Sequence, residues 1–215
     1  PEVTISELTP RKRRFFLKHL ARFLLLFESV KAKGSFLDNK RVIVTAAPHQ
    51  SGKDEYLMIL MILALDIDVC YLSAKWTMRR IPIPFVKPKD IDNQGIPWPL
   101  GWLQEIVFRK FGAIPVDRKG NSGQYDSVVQ ELLKRDSFLL IITPEGRFDA
   151  TRFRSSFLYL AKELEAEVMP VQIDYEHDTL QFLNSLNLDG SEEEVIQRLR
   201  FCFDGVKGRK SRFKA

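Results

Sequence analysis

The residues that decide the fold are 41–54, which read RVIVTAAPHQSGKD. The first half, residues 41–47, consists mostly of β-branched and small apolar side chains, a composition typical of a buried strand. The polar turn after it contains His49 and Asp54, and the apolar segment from Tyr56 to Leu65 predicts a helix. A buried strand that leads through a polar turn into a helix is the repeating unit of α/β proteins.

Strands and helices continue to alternate along the rest of the chain. The further predicted strands are residues 68–73, 137–142 and 168–175, and the further predicted helices are residues 124–135, residues 155–165 and a segment that ends at Lys110. We therefore expect an α/β fold, a single domain with a largely parallel central sheet flanked by helices, plus an N-terminal amphipathic helix.

Three segments are expected along the chain. Residues 1–35 contain the basic amphipathic helix, residues 36–203 form the α/β domain, and residues 204–215 are a basic tail. Within the domain, residues 81–100 contain five prolines and predict an irregular insertion, because proline removes a backbone donor and fixes φ.

Composition and charge exclude several classes of protein. The chain has 215 residues, of which 45% are hydrophobic and 28% charged, and this composition argues against wholesale disorder. Its two cysteines are too few for a disulfide framework or a cysteine-only zinc site, and they indicate a reducing compartment. The net charge of +5 indicates an anionic partner, and the positive charge is concentrated in residues 1–30 and 204–215, around a slightly acidic body.

The N-terminal helix has one basic side and one apolar side. Its basic side chains, Arg11, Arg14, Lys18 and Arg22, follow helical spacing, and the opposite side is Phe and Leu. The apolar run of residues 15–27 is too short and too charged to span a bilayer, and it lacks a signal-peptide cleavage site. Such a helix either lies flat on an anionic membrane or packs on its own domain with a solvated basic side. The sequence leaves both interpretations open.

Three polar clusters follow predicted strands, at residues 49–54, 117–118 and 145–147. In parallel sheets, ligands bind outside the carboxyl ends of the strands. His49 and Asp54 are separated by a Ser-Gly turn, across which the carboxylate can orient the imidazole so that its other nitrogen takes a proton from a substrate hydroxyl. The alternative is a structural turn histidine, with Asp54 serving as the N-terminal carboxylate of a helix.

Two arginines in the other clusters are candidates for binding a phosphate. Arg118 and Arg147 carry forked donors that suit phosphate, and the backbone amide of Gly146 adds another. The alternative is that both arginines form surface ion pairs with neighbouring acids, namely Asp117, Glu145 or Asp149.

Four blocks of the sequence resemble the glycerolipid acyltransferase superfamily, which includes lysophosphatidic acid acyltransferases. Residues 48–54 resemble its H-x-x-x-x-D block, and residues 112–118 resemble its glycine, hydrophobic, Asp-Arg block. Residues 144–147 resemble its P-E-G-T-R block, although the threonine is missing, and residues 169–171 resemble its hydrophobic-proline-hydrophobic strand. The order and spacing match over residues 41–175, so the chain is similar to a small member of this superfamily without a transmembrane helix.

The resemblance implies transfer of a fatty acyl group from an acyl-CoA or acyl-ACP thioester to a hydroxyl of a phosphorylated, (lyso)phospholipid-type acceptor, as in phospholipid biosynthesis. It implies His49 as the general base and Asp54 as its partner, with no cofactor beyond the donor and no metal. Arg118 and the segment Glu145-Gly146-Arg147 are then the acceptor's phosphate-binding site, and Lys75 matches a lysine that small members place after the second strand.

In this mechanism, the backbone amides of Ser51 and Gly52 are candidates for stabilising the oxyanion. The expected setting is cytoplasmic, at the surface of an anionic membrane that the N-terminal helix contacts, and no nucleic-acid partner is expected. The alternative is a non-catalytic lipid- or nucleic-acid-binding module of the same fold that uses its basic ends.

Overall fold

The structure is a computed structural model that describes residues 2–5, 15–36, 41–64, 69–81, 96–116, 124–146 and 152–209. The strands of these residues are β1 (Glu2–Ile5), β2 (Lys31–Phe36), β3 (Arg41–Ala47), β4 (Val69–Ala74), β5 (Arg80–Ile81), β6 (Ile96–Pro97), β7 (Ala113–Val116), β8 (Phe138–Ile142), β9 (Glu167–Asp174) and β10 (Thr179–Phe182). The α-helices are α1 (Phe15–Leu25), α2 (Gly52–Ala64), α3 (Gly101–Lys110), α4 (Gln124–Leu132), α5 (Ser156–Glu163) and α6 (Glu192–Phe201). A short 3₁₀ helix spans Lys75–Met78.

The chain forms two compact units. The first comprises residues 1–69 and 136–215, and the second comprises residues 70–135. Both units contain parallel strands and helices.

The first unit contains a sheet with the strand order β1-β2-β10-β9-β3-β8. All of its pairings are parallel except the pairing of β9 with β10. β3 lies between β9 and β8, with Ile43 opposite Val168 on one side and opposite Leu140 on the other. The near-continuous apolar run of β3 is explained by this position, because strands buried on both faces do not alternate.

The core of the first unit lies on the faces of β3, β8 and β9. Ile43, Leu140 and Val168 are fully buried, and α5 covers this part of the sheet with the buried side chains of Phe157 and Leu160. Burial of side chains of this size contributes roughly 1.5–3 kcal/mol each to the stability of the unit.

The α/β class, the largely parallel sheet flanked by helices and the N-terminal helix are confirmed. β3, β8 and β9 match their predicted positions within one residue at each end, while α2 begins four residues before the predicted start. The sequence analysis did not predict four elements of the first unit: β1, β2, β10 and α6. Two of these, β1 and β2, involve the N-terminal segment for which only a helix was expected.

The helix α1 packs against α2 within the first unit. Its Ala21 is buried, and the Arg22 side chain donates from Nε to the carbonyl of Ala64 at 3.1 Å. Part of its apolar side nevertheless faces outward, because Phe16 and Phe23 are 75% and 55% exposed. Arg11 and Arg14 of the predicted basic stripe lie outside the described residues.

In the second unit, β4 and β7 are parallel neighbours, with Tyr71 opposite Ala113. The two-residue strands β5 and β6 pair antiparallel, Arg80 opposite Pro97, at the two ends of the proline-rich segment. The predicted irregular insertion therefore contains a short pairing at its ends, while residues 82–95 lie outside the described part of the chain. Among the described helices of both units, none has the length and apolar character needed to cross a membrane.

Candidate active site

The carboxyl ends of β3, β8 and β9 bring three side chains of the first unit together. The three strands are parallel, so their ends meet at one edge of the sheet. His49 follows β3 through the cis Ala47–Pro48 peptide, Glu145 lies in the turn after β8, and Tyr175 directly follows β9. The His49 amide donates a hydrogen bond to Glu145, and the Tyr175 hydroxyl donates one to Asp54 in the first turn of α2.

Asp54 holds the turn between β3 and α2. Its Oδ2 accepts hydrogen bonds from the backbone amides of Gln50 and Ser51, both at 2.7 Å. Its Oδ1 accepts from the Ser51 hydroxyl at 3.2 Å and from the Tyr175 hydroxyl at 2.6 Å. Asp54 is therefore the N-terminal carboxylate of α2, as the alternative to a catalytic role predicts for this residue. Because it is fully buried and held from four directions, it also presents a fixed negative charge to His49.

His49 lies between two carboxylates. Its Nδ1 is 3.7 Å from Asp54 Oδ2, and its Nε2 is 3.5 Å from Glu55 Oε1. The first distance is longer than a hydrogen bond, but catalytic hydrogen bonds are often long before substrate binds and tighten in the complex. The imidazole is only 4% exposed, whereas the Glu55 side chain is 45% exposed. The exposed carboxylate of Glu55 thus lies on the Nε2 side of the buried imidazole.

Glu145 is a buried acid that holds the backbone of the histidine. Its Oε1 accepts a hydrogen bond from the His49 amide at 3.0 Å, while Oε2 has no hydrogen-bond partner among the described residues. The pKa of Glu145 is raised to about 7, mainly by burial and also by the negative charge of Asp54, against the lowering effect of the His49 amide. The described geometry gives this side chain a contact with the His49 backbone, and its predicted role in binding a phosphate stays a prediction.

Tyr175 is a site residue that the sequence analysis did not identify. It is buried, and its pKa is raised above the ordinary value of a tyrosine by burial, by its hydrogen bond to Asp54 and by the Asp54 charge. Its backbone amide donates to the carbonyl of Lys207 at 3.0 Å, which brings the segment after α6 beside the site. The close approach of Gly208 to Gln50, where an added Cβ would lie 2.5 Å from the amide side chain, closes the same side.

The segment after β8 forms a turn against an arginine. The Gly146 amide donates to the Thr143 carbonyl at 3.0 Å, and Gly146 has φ +68°, a conformation that glycine adopts without strain. A Cβ at this position would lie 3.0 Å from Arg154 Cδ and 3.1 Å from Arg154 Nε. The exposed Arg154 therefore places a cation beside Glu145-Gly146, a position that the sequence analysis did not predict. Arg118 and Arg147 lie outside the described residues.

The remaining predicted site residues lie on two different units. In the first unit, the Ser51 amide is engaged by Asp54, while Gly52 is exposed at the start of α2, where first-turn amides have no partner within the helix. Lys75 is an exposed residue of the second unit. Across the described parts of both units, no group of three or more His, Cys, Asp and Glu side chains is arranged to hold a metal ion.

A comparison with protein families supports a functional class for the chain. The family described as Acyltransferase matches residues 99–174, roughly a third of the chain. The matched range includes Glu145 and Gly146 and ends at the carboxyl end of β9, and it does not include His49 or Asp54. No curated protein matches the chain. The family match supports the acyltransferase superfamily and a general acyl-transfer function.

Proposed function

We propose that the chain is an O-acyltransferase, similar to the 1-acyl-sn-glycerol-3-phosphate acyltransferases. It moves a fatty acyl group from an acyl-CoA or acyl-ACP thioester to a hydroxyl of a phosphorylated, lysophospholipid-type acceptor. The observation that carries this proposal is the buried His49 at the edge of a parallel sheet, beside the fixed carboxylate of Asp54. The family match over residues 99–174 supports the reaction class.

His49 acts as the general base in a direct transfer. Its Nε2 takes the proton of the acceptor hydroxyl as the oxygen attacks the thioester carbonyl, and Asp54 stabilises the imidazolium from the Nδ1 side. The carbon–sulfur bond then breaks, and the leaving thiolate takes the proton from the imidazolium. The Gly52 amide at the start of α2 is the proposed oxyanion donor, because the Ser51 amide is bonded to Asp54.

The acceptor phosphate is proposed to bind at the turn after β8. Arg154 supports this placement, because its guanidinium lies against Gly146. Arg118 and Arg147 remain proposed phosphate ligands from their place in the sequence motifs.

We also propose a cytoplasmic enzyme at the surface of an anionic membrane. The exposed Phe16 and Phe23 of α1 support this, because they present two large apolar side chains on a helix whose other side packs against α2, and such side chains can insert at a membrane surface. Replacement of both by Ser is expected to reduce retention on anionic vesicles, and unchanged retention would contradict a docking role for α1.

The proposed chemistry is tested by thiol release from an acyl-CoA donor with lysophosphatidic acid as acceptor. The variant His49→Gln is expected to lower the acceptor-dependent rate by at least about 100-fold, the lower end of what a general base contributes. The matched control is His177→Gln, because His177 also pairs with an aspartate, with Nδ1 2.6 Å from Asp174 Oδ2, but is 68% exposed and lies outside the site. The control is expected to keep the wild-type rate.

Two outcomes would contradict the proposal. A folded His49→Gln protein that releases thiol at nearly the wild-type rate would remove His49 as the base. Equal rates with acceptors that carry and lack a phosphate would remove the proposed phosphate site while leaving the thioester chemistry in place.

A further inference from the structure

The second unit carries a contiguous apolar face outside the candidate active site. On α3, one side of the helix exposes Trp102, Leu103, Ile106 and Val107, each between 41% and 57% exposed. These positions follow i, i+1, i+4, i+5 spacing, which places them on one arc of the helix. Neighbouring segments add three further exposed apolar side chains: Ile81, Ile96 and Leu100. We call these seven side chains the α3 face.

A shallow groove joins the helix to the short β5–β6 pair. Its volume is about 390 Å³, and Ile81 from β5 lines it together with Leu103, Val107 and Phe108 from α3. Trp98 closes one side, where its indole Nε1 donates to Gln104 Oε1 at 2.8 Å. The side-chain Nε2 of Gln104 donates in turn to the Arg80 carbonyl at 3.1 Å. Hydrogen bonds through Gln104 therefore connect α3 both to β5 and to the segment after β6.

Basic side chains surround the α3 face. Arg79 and Arg80 precede and begin β5, and Arg109 and Lys110 end α3. One acid, Glu105 of α3, lies among these basic side chains. It forms ion pairs with both Arg79 and Arg109, and its Oε1 is 2.9 Å from Arg109 Nη2. The side chains of Arg79 and Arg109 are nevertheless 69% and 52% exposed, so the rim presents a net positive charge to solvent.

We propose that the α3 face docks on an anionic bilayer. An exposed tryptophan among aliphatic side chains, with Lys and Arg at the rim, fits the boundary between lipid headgroups and acyl chains. A second copy of this chain fits less well, because a two-fold contact would bring the same arginines against each other. This inference concerns binding and does not depend on the proposed acyl transfer.

Vesicle co-sedimentation of the full chain tests the proposal. The wild-type protein is expected to bind phosphatidylglycerol–phosphatidylcholine vesicles more tightly than phosphatidylcholine vesicles, and added salt is expected to weaken binding because it screens the rim charges. The double variant Trp102→Ser/Ile106→Ser is expected to bind the anionic vesicles at least about tenfold more weakly, because two apolar side chains no longer insert. The matched control is Phe201→Ser, which removes an 81% exposed side chain from α6 of the first unit and is expected to leave binding unchanged.

Several results would overturn the proposal. A double variant with wild-type thermal stability and wild-type vesicle affinity would show that the α3 face does not contact lipid. Equal binding to neutral and anionic vesicles would remove the role of the basic rim. A wild-type dimer that the double variant dissociates would assign the face to protein association instead. None of these measurements involves thiol release, so their failure is distinct from a failure of the proposed acyl transfer.

Discussion

The protonation of Glu145 leads to a quantitative prediction about stability. Glu145 is 6% exposed, and its Oε1 accepts a hydrogen bond from the amide of His49. Its pKa rises from the ordinary 4.5 to about 7 in the folded chain, mainly because burial disfavours the charged form. Replacement of this acid by its neutral isostere, Glu145→Gln, keeps the acceptor for the His49 amide and removes the ionisation.

The sign of the effect follows from proton linkage. Between pH 4.5 and pH 7 the unfolded chain releases the Glu145 proton while the folded chain keeps it, so the free energy of unfolding falls as the pH rises. The full shift corresponds to about 3 kcal/mol, since each pKa unit is 1.36 kcal/mol. Above pH 7 both states are ionised, and the contribution of this group no longer changes.

The measurement is urea unfolding of wild type and Glu145→Gln at several pH values. The free energy of unfolding of the variant minus that of the wild type is expected to increase by about 2.5 kcal/mol from pH 5 to pH 8. In this difference, the contributions of all other titrating groups to the pH dependence of unfolding cancel, because both proteins contain the same groups. The control is Gln197→Asn, which changes an exposed side chain of α6 without adding or removing an ionisable group and is expected to give a difference independent of pH.

The result that would refute this reasoning is a flat difference for Glu145→Gln over the same range. A difference that grows toward acid pH would refute it as well, because it would mean that the folded state stabilises the ionised carboxylate.

Two further predictions concern contacts made across the sheet. The variant Tyr175→Phe removes the hydroxyl that donates to the buried Asp54 at 2.6 Å. It is expected to lower the free energy of unfolding by about 1.5–3 kcal/mol in urea titrations, which is the range for a hydrogen bond to a charged group. No loss would mean that water replaces the hydroxyl. The variant Gly34→Ala places a Cβ 2.1 Å from the Phe182 carbonyl oxygen at φ +104°, and it is expected to lower the free energy of unfolding by more than about 2 kcal/mol in urea titrations. The control Gly205→Ala, at φ +74° with nothing within 4 Å of the added Cβ, is expected to lower it by only about 1–2 kcal/mol. Equal losses for the two variants would assign the whole effect to backbone strain.

The central strands and the turn between β3 and α2 could be predicted because their signals are local. β3 and β8 are continuous apolar runs, and such runs identify strands buried on both faces without knowledge of their partners. The turn that contains His49 and Asp54 is likewise a short segment whose spacing is visible in the sequence. Parallel strands then require that the residues after them meet at one edge.

Other elements carry weaker local signals. In β2 the buried Ala32 lies between the exposed Lys31 and Lys33, so its alternation is hidden by the small size of the inward side chain. The helix α6 does have a readable start, because Ser191 and Glu194 form a capping box, and its buried Val195 and Leu199 are four residues apart. That signal was sufficient to predict the helix, which is nevertheless absent from the predicted elements.

The sequence by itself determined the α/β class, the apolar strands at the centre of the sheet and the position of a histidine and an aspartate at the two ends of one turn. Only the tertiary structure decided that Tyr175, 121 residues after Asp54, completes that pair, and that Glu145 rather than a nearer residue holds the His49 backbone. The physical reason is that hydrophobic periodicity and turn chemistry act over a few residues, whereas the burial that raises the Glu145 pKa arises from strands that are distant in the chain. The exposure of the α3 face was also decided by the tertiary structure, because the hydrophobic periodicity of a helix is the same whether its apolar side is buried or exposed to solvent.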